Sequence, residues 1–273
     1  MQYLLKKALV QGLEEKFKNA QRIFLFLDYD GTLTSIKKTP DLALLSSSVR
    51  RILLDLSLLP QMILTIISGR SLNRIQKLIG VESINYVGNH GLEMKVGASE
   101  DEIPQHRKIR KRMAWLSRKI NAKIGYLPGI LVENKGLTLS VHYRLVQENR
   151  VPELKKMVSA IIYPFKRSYE LREGKKVLEI RPKSIRNKGW AVKNIIRKYG
   201  SVNKSRDQYL YIGDDLTDED AFKLTNSKGG YSILVDSGSK NSKANYYLKS
   251  TKEVRLFLIW LKKSLTRKER GKL

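Results

Sequence analysis

The stretch that most constrains this chain is Ile23-Phe24-Leu25-Phe26-Leu27-Asp28-Tyr29-Asp30-Gly31-Thr32-Leu33-Thr34. Five apolar residues run without a break into two carboxylates one residue apart, then a glycine, then hydroxyls. An apolar run of that length, closed by a turn signal, reads as a strand buried on both faces. Both acids then fall at the strand's carboxyl end, where open parallel α/β sheets bind their ligands. Gly31 lets the chain turn away sharply without a Cβ penalty.

Two acids so placed suit phosphoryl chemistry. Asp28 can attack a phosphorus atom, since aspartyl phosphates are stable enough to serve as covalent intermediates. Asp30 can hand a proton to the leaving oxygen and later take one from water. A carboxylate and a phosphate repel, by roughly 4 kcal/mol for a unit pair about 4 Å apart at an effective dielectric of 20. A cation is needed to bring them together, and oxygen ligands on a loop favour Mg²⁺. The competing reading is a capped turn, with Asp30 bonded to nearby backbone N–H groups.

At 273 residues the chain can bury a sizeable core in one or two domains. No apolar run is long enough to span a bilayer. The opening segment Met1-Gln2-Tyr3-Leu4-Leu5-Lys6-Lys7 lacks the apolar core of a signal peptide. The absence of cysteine excludes disulfides and thiolate chemistry. We therefore expect a cytoplasmic monomer with no membrane partner. The formal net charge of +27 attracts anions. Basic residues occur along the whole chain, with no nucleic-acid-binding signature, so no specific nucleic-acid partner is expected. A small phosphorylated substrate uses only local charge and does not account for the excess.

Helical spacing over Leu4–Asn19 precedes the first strand, and Ser46-Ser47-Ser48 offers an N-cap to a helix over Val49–Leu56. Met62–Ile67 is a second buried strand ending in Ser68-Gly69-Arg70. Ser68 can donate to a phosphate oxygen, Gly69 leaves backbone N–H groups open, and the next helix, over Ser71–Leu78, turns its positive end to the same edge. The plainer alternative is a serine-capped strand–helix connection. Ile84–Val87 leads into Gly88-Asn89-His90-Gly91, where His90 is either a base or a local hydrogen-bonding group. Residues 98 to 106 read as a linker.

Beyond it the pattern changes. A helix is expected over residues 109–123, then an alternating hairpin over 131–143 turning at Asn134-Lys135-Gly136, a helix over 152–162, and a second hairpin turning at Glu173-Gly174. The order αββαββ makes an antiparallel sheet with two helices on one face. The chain then returns through Asn187-Lys188-Gly189, where a lysine in a helix's first turn opposes the dipole and so suggests another purpose. Tyr209–Ile212 is a strand entering Gly213-Asp214-Asp215-Leu216-Thr217-Asp218-Glu219-Asp220. Acids packed that densely make sense around a divalent cation beside Asp28 and Asp30. A strand over Tyr231–Val235 and a helix over 254–265 follow, and a basic tail, Thr266–Leu273, is expected to fray.

These segments resemble, in order, the four motifs of the haloacid dehalogenase-like phosphatases. The segments VENKGLTLSVHYR and GKKVLEIRP resemble the cap of trehalose-6-phosphate phosphatases. The resemblance implies a doubly wound Rossmann-like α/β core (residues 1–102 and 185–273) with an inserted α+β cap (103–184). It implies Asp28 as nucleophile, Asp30 as acid and base, and Lys188 as the group that neutralises both nucleophile and phosphate. Ser68 and Gly69 join Lys188 on the phosphate. Mg²⁺ is held by Asp28, Asp30 and Asp214, with Asp215 and Asp218 behind them. Glu133, Lys135 and Glu179 hold the distal glucose, and Arg144 is carried over with them. Arg70, Asn89 and His90 are placed on the substrate, with orientation of its own loop as the other role for Arg70. The implied reaction is hydrolysis of trehalose 6-phosphate, the last step of trehalose synthesis. The alternatives are another sugar phosphate (sucrose phosphate or mannosyl-phosphoglycerate), a catalytically silent regulatory homologue, or a basic nucleic-acid-binding protein.

Overall fold

The structure, a computed structural model, describes residues 1–100, 106–184, 186–200, 206–236 and 241–266. It divides into two compact units, Met1–Glu100 with Arg186–Leu273, and Asp101–Ile185.

The first unit opens with β1 (Gln2–Tyr3), α1 (Lys7–Lys18), β2 (Arg22–Asp28), α2 (Ser47–Ser57), β3 (Met62–Ile67), α3 (Leu72–Ile79), β4 (Asn85–Gly88), β5 (Glu93–Val96) and β6 (Ser99–Glu100). The second unit is α4 (His106–Ile124), β7 (Leu131–Asn134), β8 (Leu139–His142), α5 (Val151–Ile162), β9 (Tyr169–Gly174) and β10 (Val177–Pro182). The first then resumes with α6 (Lys188–Tyr199), β11 (Asp207–Gly213), α7 (Glu219–Ser227), β12 (Tyr231–Val235), β13 (Tyr246–Leu248) and α8 (Thr251–Thr266).

Among the described residues the first unit's sheet runs β1-β13-β12-β11-β2-β3-β4-β5-β6. It is parallel as far as β4, and the last two pairings are antiparallel. β2 lies inside it, and its alternation feeds two cores. Ile23, Leu25 and Leu27 pack with residues of α1, α2, α3 and α8 on one face. Phe24 and Phe26 pack with residues of α6 and α7 on the other. The fold is thus a doubly wound α/β sheet covered on both sides, which is why β2 is apolar without a break from Ile23 to Leu27. In the second unit the sheet order is β7-β8-β10-β9, all antiparallel. α4 and α5 cover one face through Met113, Leu116, Ile120, Leu154 and Val158.

Several boundaries differ from the sequence expectation. The first helix starts at Lys7 because Gln2 and Tyr3 pair with Tyr246 and Tyr247 at the sheet edge. In the expected linker, Ser99 and Glu100 extend the sheet as β6, and residues 101–105 lie outside the described ones. The second hairpin turns at Lys175-Lys176, since Glu173 and Gly174 are still paired with Leu178 and Val177. Lys176 takes the left-handed conformation (φ 63°) in this turn. The tail beyond Thr266 lies outside the described residues.

Phe26 is fully buried and stacks on Tyr211 with ring centroids 6.4 Å apart. Phe26→Ala is expected to cost about 3–5 kcal/mol, read as a lower midpoint of urea unfolding. A midpoint within error of the parent would contradict the two-faced burial of β2.

Candidate active site

β2 ends at Asp28, beside Ile67 at the end of β3, and Leu27 faces Ile212 near the end of β11. From β2 the chain moves to β3 on one side and later returns to β11 on the other. The connecting loops therefore diverge and leave a crevice at the carboxyl edge, the usual ligand position in such sheets.

Three acids converge there. Carboxylate oxygens of Asp28, Asp214 and Asp218 lie within 4.8 Å of one another, and all three residues are buried. Two glycines permit the approach. A Cβ on Gly31, whose φ is 87°, would sit 2.1 Å from Asp214 Oδ2. A Cβ on Gly213 would sit 2.4 Å from the Asp218 carboxyl carbon. Lys188 answers the charge: its Nζ donates to Asp28 Oδ1 at 2.8 Å and to Asp218 Oδ1 at 2.7 Å. α6 begins at this lysine because Asn187 caps it, accepting from Trp190 N at 2.7 Å while its amide donates to Asp220 at 2.7 Å.

The three acids are not equivalent. Asp218 Oδ1 also accepts from Tyr211 OH at 2.6 Å, and Oδ2 accepts from the backbone N–H groups of Asp214 and Asp215 at 3.1 and 3.0 Å. Four donors fill the acceptor sites of one carboxylate. Asp218 is thus committed to Lys188 and to the turn that presents Asp214. Asp215 caps the same turn, accepting from Leu216 N at 2.8 Å.

Burial pushes the Asp28 carboxyl well above its usual range, and Asp218 and Asp214 add to this against the pull of Lys188. Burial also opposes the charge on Lys188, but the carboxylates of Asp218 and Asp28 outweigh it and hold the ammonium above an ordinary lysine. Tyr211 is pushed far up by burial and by Asp218, so it stays a neutral donor. Three buried carboxylates against one ammonium leave negative charge uncompensated. At that spacing each unit pair repels by about 3 kcal/mol at an effective dielectric of 20. A divalent cation fits this donor set, and Asp28 and Asp214 are the side chains that could hold it.

Asp30 departs from the expected ligand set. Both its oxygens are held by Arg70, Nε to Oδ2 at 2.8 Å and Nη2 to Oδ1 at 2.7 Å, so its carboxylate is not in the cluster. Arg70 is thereby engaged by groups of the protein itself. The guanidinium is buried, donates to the Pro40 carbonyl at 2.9 Å, and lies 5.1 Å from the centre of the Tyr29 ring. Ser68 sits one residue past the Asp28–Ile67 pair. Its Oγ accepts from Arg70 N at 3.1 Å, which leaves the hydroxyl hydrogen to donate. A Cβ on Gly69 would lie 2.5 Å from the His90 ring, so the glycine is what lets His90 fold over this loop.

Asn89 is likewise engaged within the protein. It is wholly buried, and its amide donates to Glu93 Oε2 at 2.7 Å. The same oxygen accepts from Leu72 N at 3.0 Å, doing for α3 what no side-chain cap from Ser71 does. Glu93 thereby fastens a turn in which Asn89 and His90 both have positive φ (47° and 56°). Nothing in the local pattern around Glu93 marked it out, because its partners lie on α3 and in the preceding turn.

In the second unit, Glu133 and Glu179 both pair with Ser140, forming one row across three strands. They alternate with core residues and so lie on the face away from α4 and α5. Lys135 Nζ donates to Glu179 at 3.3 Å, and His142 Nε2 meets Glu133 at 2.9 Å. Arg144 does not join them. It lies four residues beyond Ser140, about 13 Å along an extended chain, and donates to the Lys175 carbonyl at 2.7 Å. Arg181, on the other hand, shares this face and is held by Glu170 at 2.5 Å.

A family model described as trehalose-phosphatase matches residues 26–252. Trehalose-phosphate phosphatase B of Arabidopsis thaliana is 34% identical over 248 residues, covering 87% of this chain and 66% of the relative. Probable trehalose-phosphate phosphatase 4 of Oryza sativa subsp. japonica is 34% identical, covering 89% of this chain and 68% of the relative. The chain thus spans about two thirds of the length of these plant proteins. The C-terminal domain of the C. albicans trehalose-6-phosphate phosphatase superposes with a TM-score of 0.79 at 27% identity, covering 93% of this chain and 97% of that one. Among the described residues no helix is long and apolar enough to cross a membrane.

Lys188→Met removes the counter-charge from the buried acids. Without divalent cations it is expected to cost about 3–5 kcal/mol, the usual result of leaving one side of a buried ion pair unpaired. Mg²⁺ should recover part of the loss. Urea unfolding with and without Mg²⁺ measures both, and a variant as stable as the parent without metal would rule out this charge balance.

Proposed function

The chain belongs to the trehalose-phosphatase family, and on that premise we propose that it hydrolyses trehalose 6-phosphate to trehalose and phosphate. The observation that carries the reading is the convergence of Asp28, Asp214, Asp218 and Lys188 at one sheet edge.

The reaction has two in-line steps. An Asp28 oxygen attacks phosphorus and forms an aspartyl phosphate as the bond to the sugar oxygen breaks, with Asp30 giving that oxygen its proton. Water then attacks the same phosphorus, Asp30 takes its proton, and Asp28 is released with inorganic phosphate. Lys188 favours the ionised form of Asp28 and so works against the burial that opposes it. Ser68 and the N–H groups of the Gly69 turn bind phosphoryl oxygens. Asp30 must exchange Arg70 for the leaving group before it can act, and apo geometry of this kind commonly tightens only with substrate bound. Mg²⁺, held by Asp28 and Asp214, would neutralise phosphoryl charge. Glu133, Lys135 and Glu179 supply acceptors and donors for sugar hydroxyls, each with several hydrogen bonds to give.

A panel of sugar phosphates, assayed for phosphate release with Mg²⁺ and with chelator, tests this reading. Trehalose 6-phosphate should be the best substrate, and chelation should abolish turnover. Preference for sucrose phosphate or mannosyl-phosphoglycerate would reassign the substrate. No turnover on any member would favour a silent regulator. Asp28→Asn should abolish hydrolysis with the melting temperature retained, and a near-parental rate in that variant would remove Asp28 as nucleophile. Glu133→Ala should lower kcat/KM for trehalose 6-phosphate at least tenfold more than for a small aryl phosphate; equal losses would deny Glu133 a role in sugar recognition.

A further inference from the structure

α4 is an unusually one-sided helix: its 19 residues contain no acid. Met113, Leu116, Ile120 and Ile124 are buried against the second unit's sheet. On the outward side, at helical spacings of three and four, lie Lys108, Lys111, Trp115, Arg118 and Lys119, all exposed. Among the described residues these four cations have no carboxylate partner, whereas Glu170 and Glu173 of the same unit are taken by Arg172, Arg181 and Lys155. Like charges three and four residues apart weaken a helix. Folding therefore does not explain the stripe.

Trp115 beside it takes no part in the core and is exposed, while Phe165 packs against the core's edge and stays only partly buried. Phe165 meets Trp115 edge to face, with centroids 5.5 Å apart and planes at 78°. The Arg112 guanidinium lies 4.7 Å from the Phe165 centroid and 5.5 Å from that of Trp115, and Lys119 Nζ lies 4.9 Å from Trp115. A groove of about 550 Å³ runs between them, lined among others by Lys108, Lys111, Arg112, Trp115, Phe165 and Tyr169. It is bordered by two kinds of group, cations and flat rings, and each needs a matching part of one ligand.

We propose that this groove and stripe bind single-stranded nucleic acid without sequence preference. Lys108, Lys111, Arg118 and Lys119 follow the phosphates, and Trp115 and Phe165 offer faces and edges on which bases stack. The stripe from Lys108 to Lys119 spans about 16 Å of helix, enough for a short run of nucleotides. A membrane surface fits less well, because an interfacial helix turns its apolar side to lipid and α4 has buried that side. A polyanion without bases would satisfy the cations and leave the rings unused. Glu133 and Glu179 lie on the opposite face of the second unit's sheet, so the stripe can be altered without touching them.

The test uses the full chain and labelled oligothymidylate and oligouridylate, followed by fluorescence anisotropy between about 50 and 200 mM salt. Affinity should fall steeply with salt, and the oligonucleotide should quench tryptophan emission. Trp115→Ala should lose that quenching and bind about tenfold more weakly, with binding of inorganic polyphosphate unchanged. The triple variant Lys108→Glu, Lys111→Glu, Lys119→Glu should lose at least tenfold on both polymers. Both variants should hydrolyse sugar phosphate within twofold of the parent, which reports an intact fold. The proposal is overturned by absence of oligonucleotide binding at low salt, or by variants that bind as the parent does. It is equally overturned if Trp115→Ala leaves oligonucleotide affinity unchanged, or if phosphatidylserine vesicles retain the protein more tightly than the oligonucleotides do.

Discussion

Lys188 reaches Asp28 and Asp218 with one ammonium, and through them it ties together segments that are 160 and 30 residues away. Neither partner could be buried alone. An isolated charge in the interior costs several kcal/mol even after relaxation, and here three acids are buried side by side. The lysine stands in the first turn of α6, where the helix dipole disfavours a cation. Its position is held by Asn187 and by the two carboxylates it contacts, which outweigh a dipole effect of about 0.3–1 kcal/mol. The same contacts that keep α6 against β2 and β11 favour the charged form of Asp28. Stability and nucleophilicity share one interaction, so the site cannot be loosened without loosening the join between the two halves of the first unit.

Bringing acids that close demands that backbone come close too. Gly31 passes against Asp214 and Gly213 against Asp218 at distances no Cβ could occupy. The phosphate side repeats the solution with different parts. Gly69 makes room for the His90 ring, and the left-handed turn that carries His90 is fastened by Glu93 through Asn89 and the first N–H of α3. Glu93 thus occupies the positive end of α3 from behind. Each loop at the edge is fixed by a partner from another strand, and this lets short connections hold their shape.

The two strands that define the site were legible because a strand buried on both faces leaves a continuous apolar run. β3 begins and ends at the residues read from sequence, and β2 takes in only Arg22 and Asp28 besides its apolar run. The short strands β1, β13, β5 and β6, at and next to the two sheet edges, were not read, since pieces of two to four residues carry no such run. The acids and Lys188 were found by residue type and order. Their division of labour was not, because it depends on which donors reach which oxygen. Asp218 has four and Asp30 has Arg70, and neither fact leaves a trace in local spacing. The resemblance places Arg70 and Asn89 on the substrate; that both are buried and bonded within the protein is a contact between loops that local spacing does not show.

The distribution of positive charge follows a separate logic from the chemistry. A phosphate at the sheet edge responds to Lys188, which is in contact with the nucleophile and screened from water by burial. Exposed charges act over a Debye length of about 8 Å at physiological ionic strength, so a lysine farther away adds little to a single small dianion. Raising the net charge to +27 therefore does little for one phosphate beyond what a few well-placed groups supply. It does matter for a ligand that touches many charges at once, where each neutralised phosphate releases counterions and the effects multiply. A row of cations without acidic partners, interleaved with a tryptophan, is the form that such a surface takes on a helix whose other side is already used for packing.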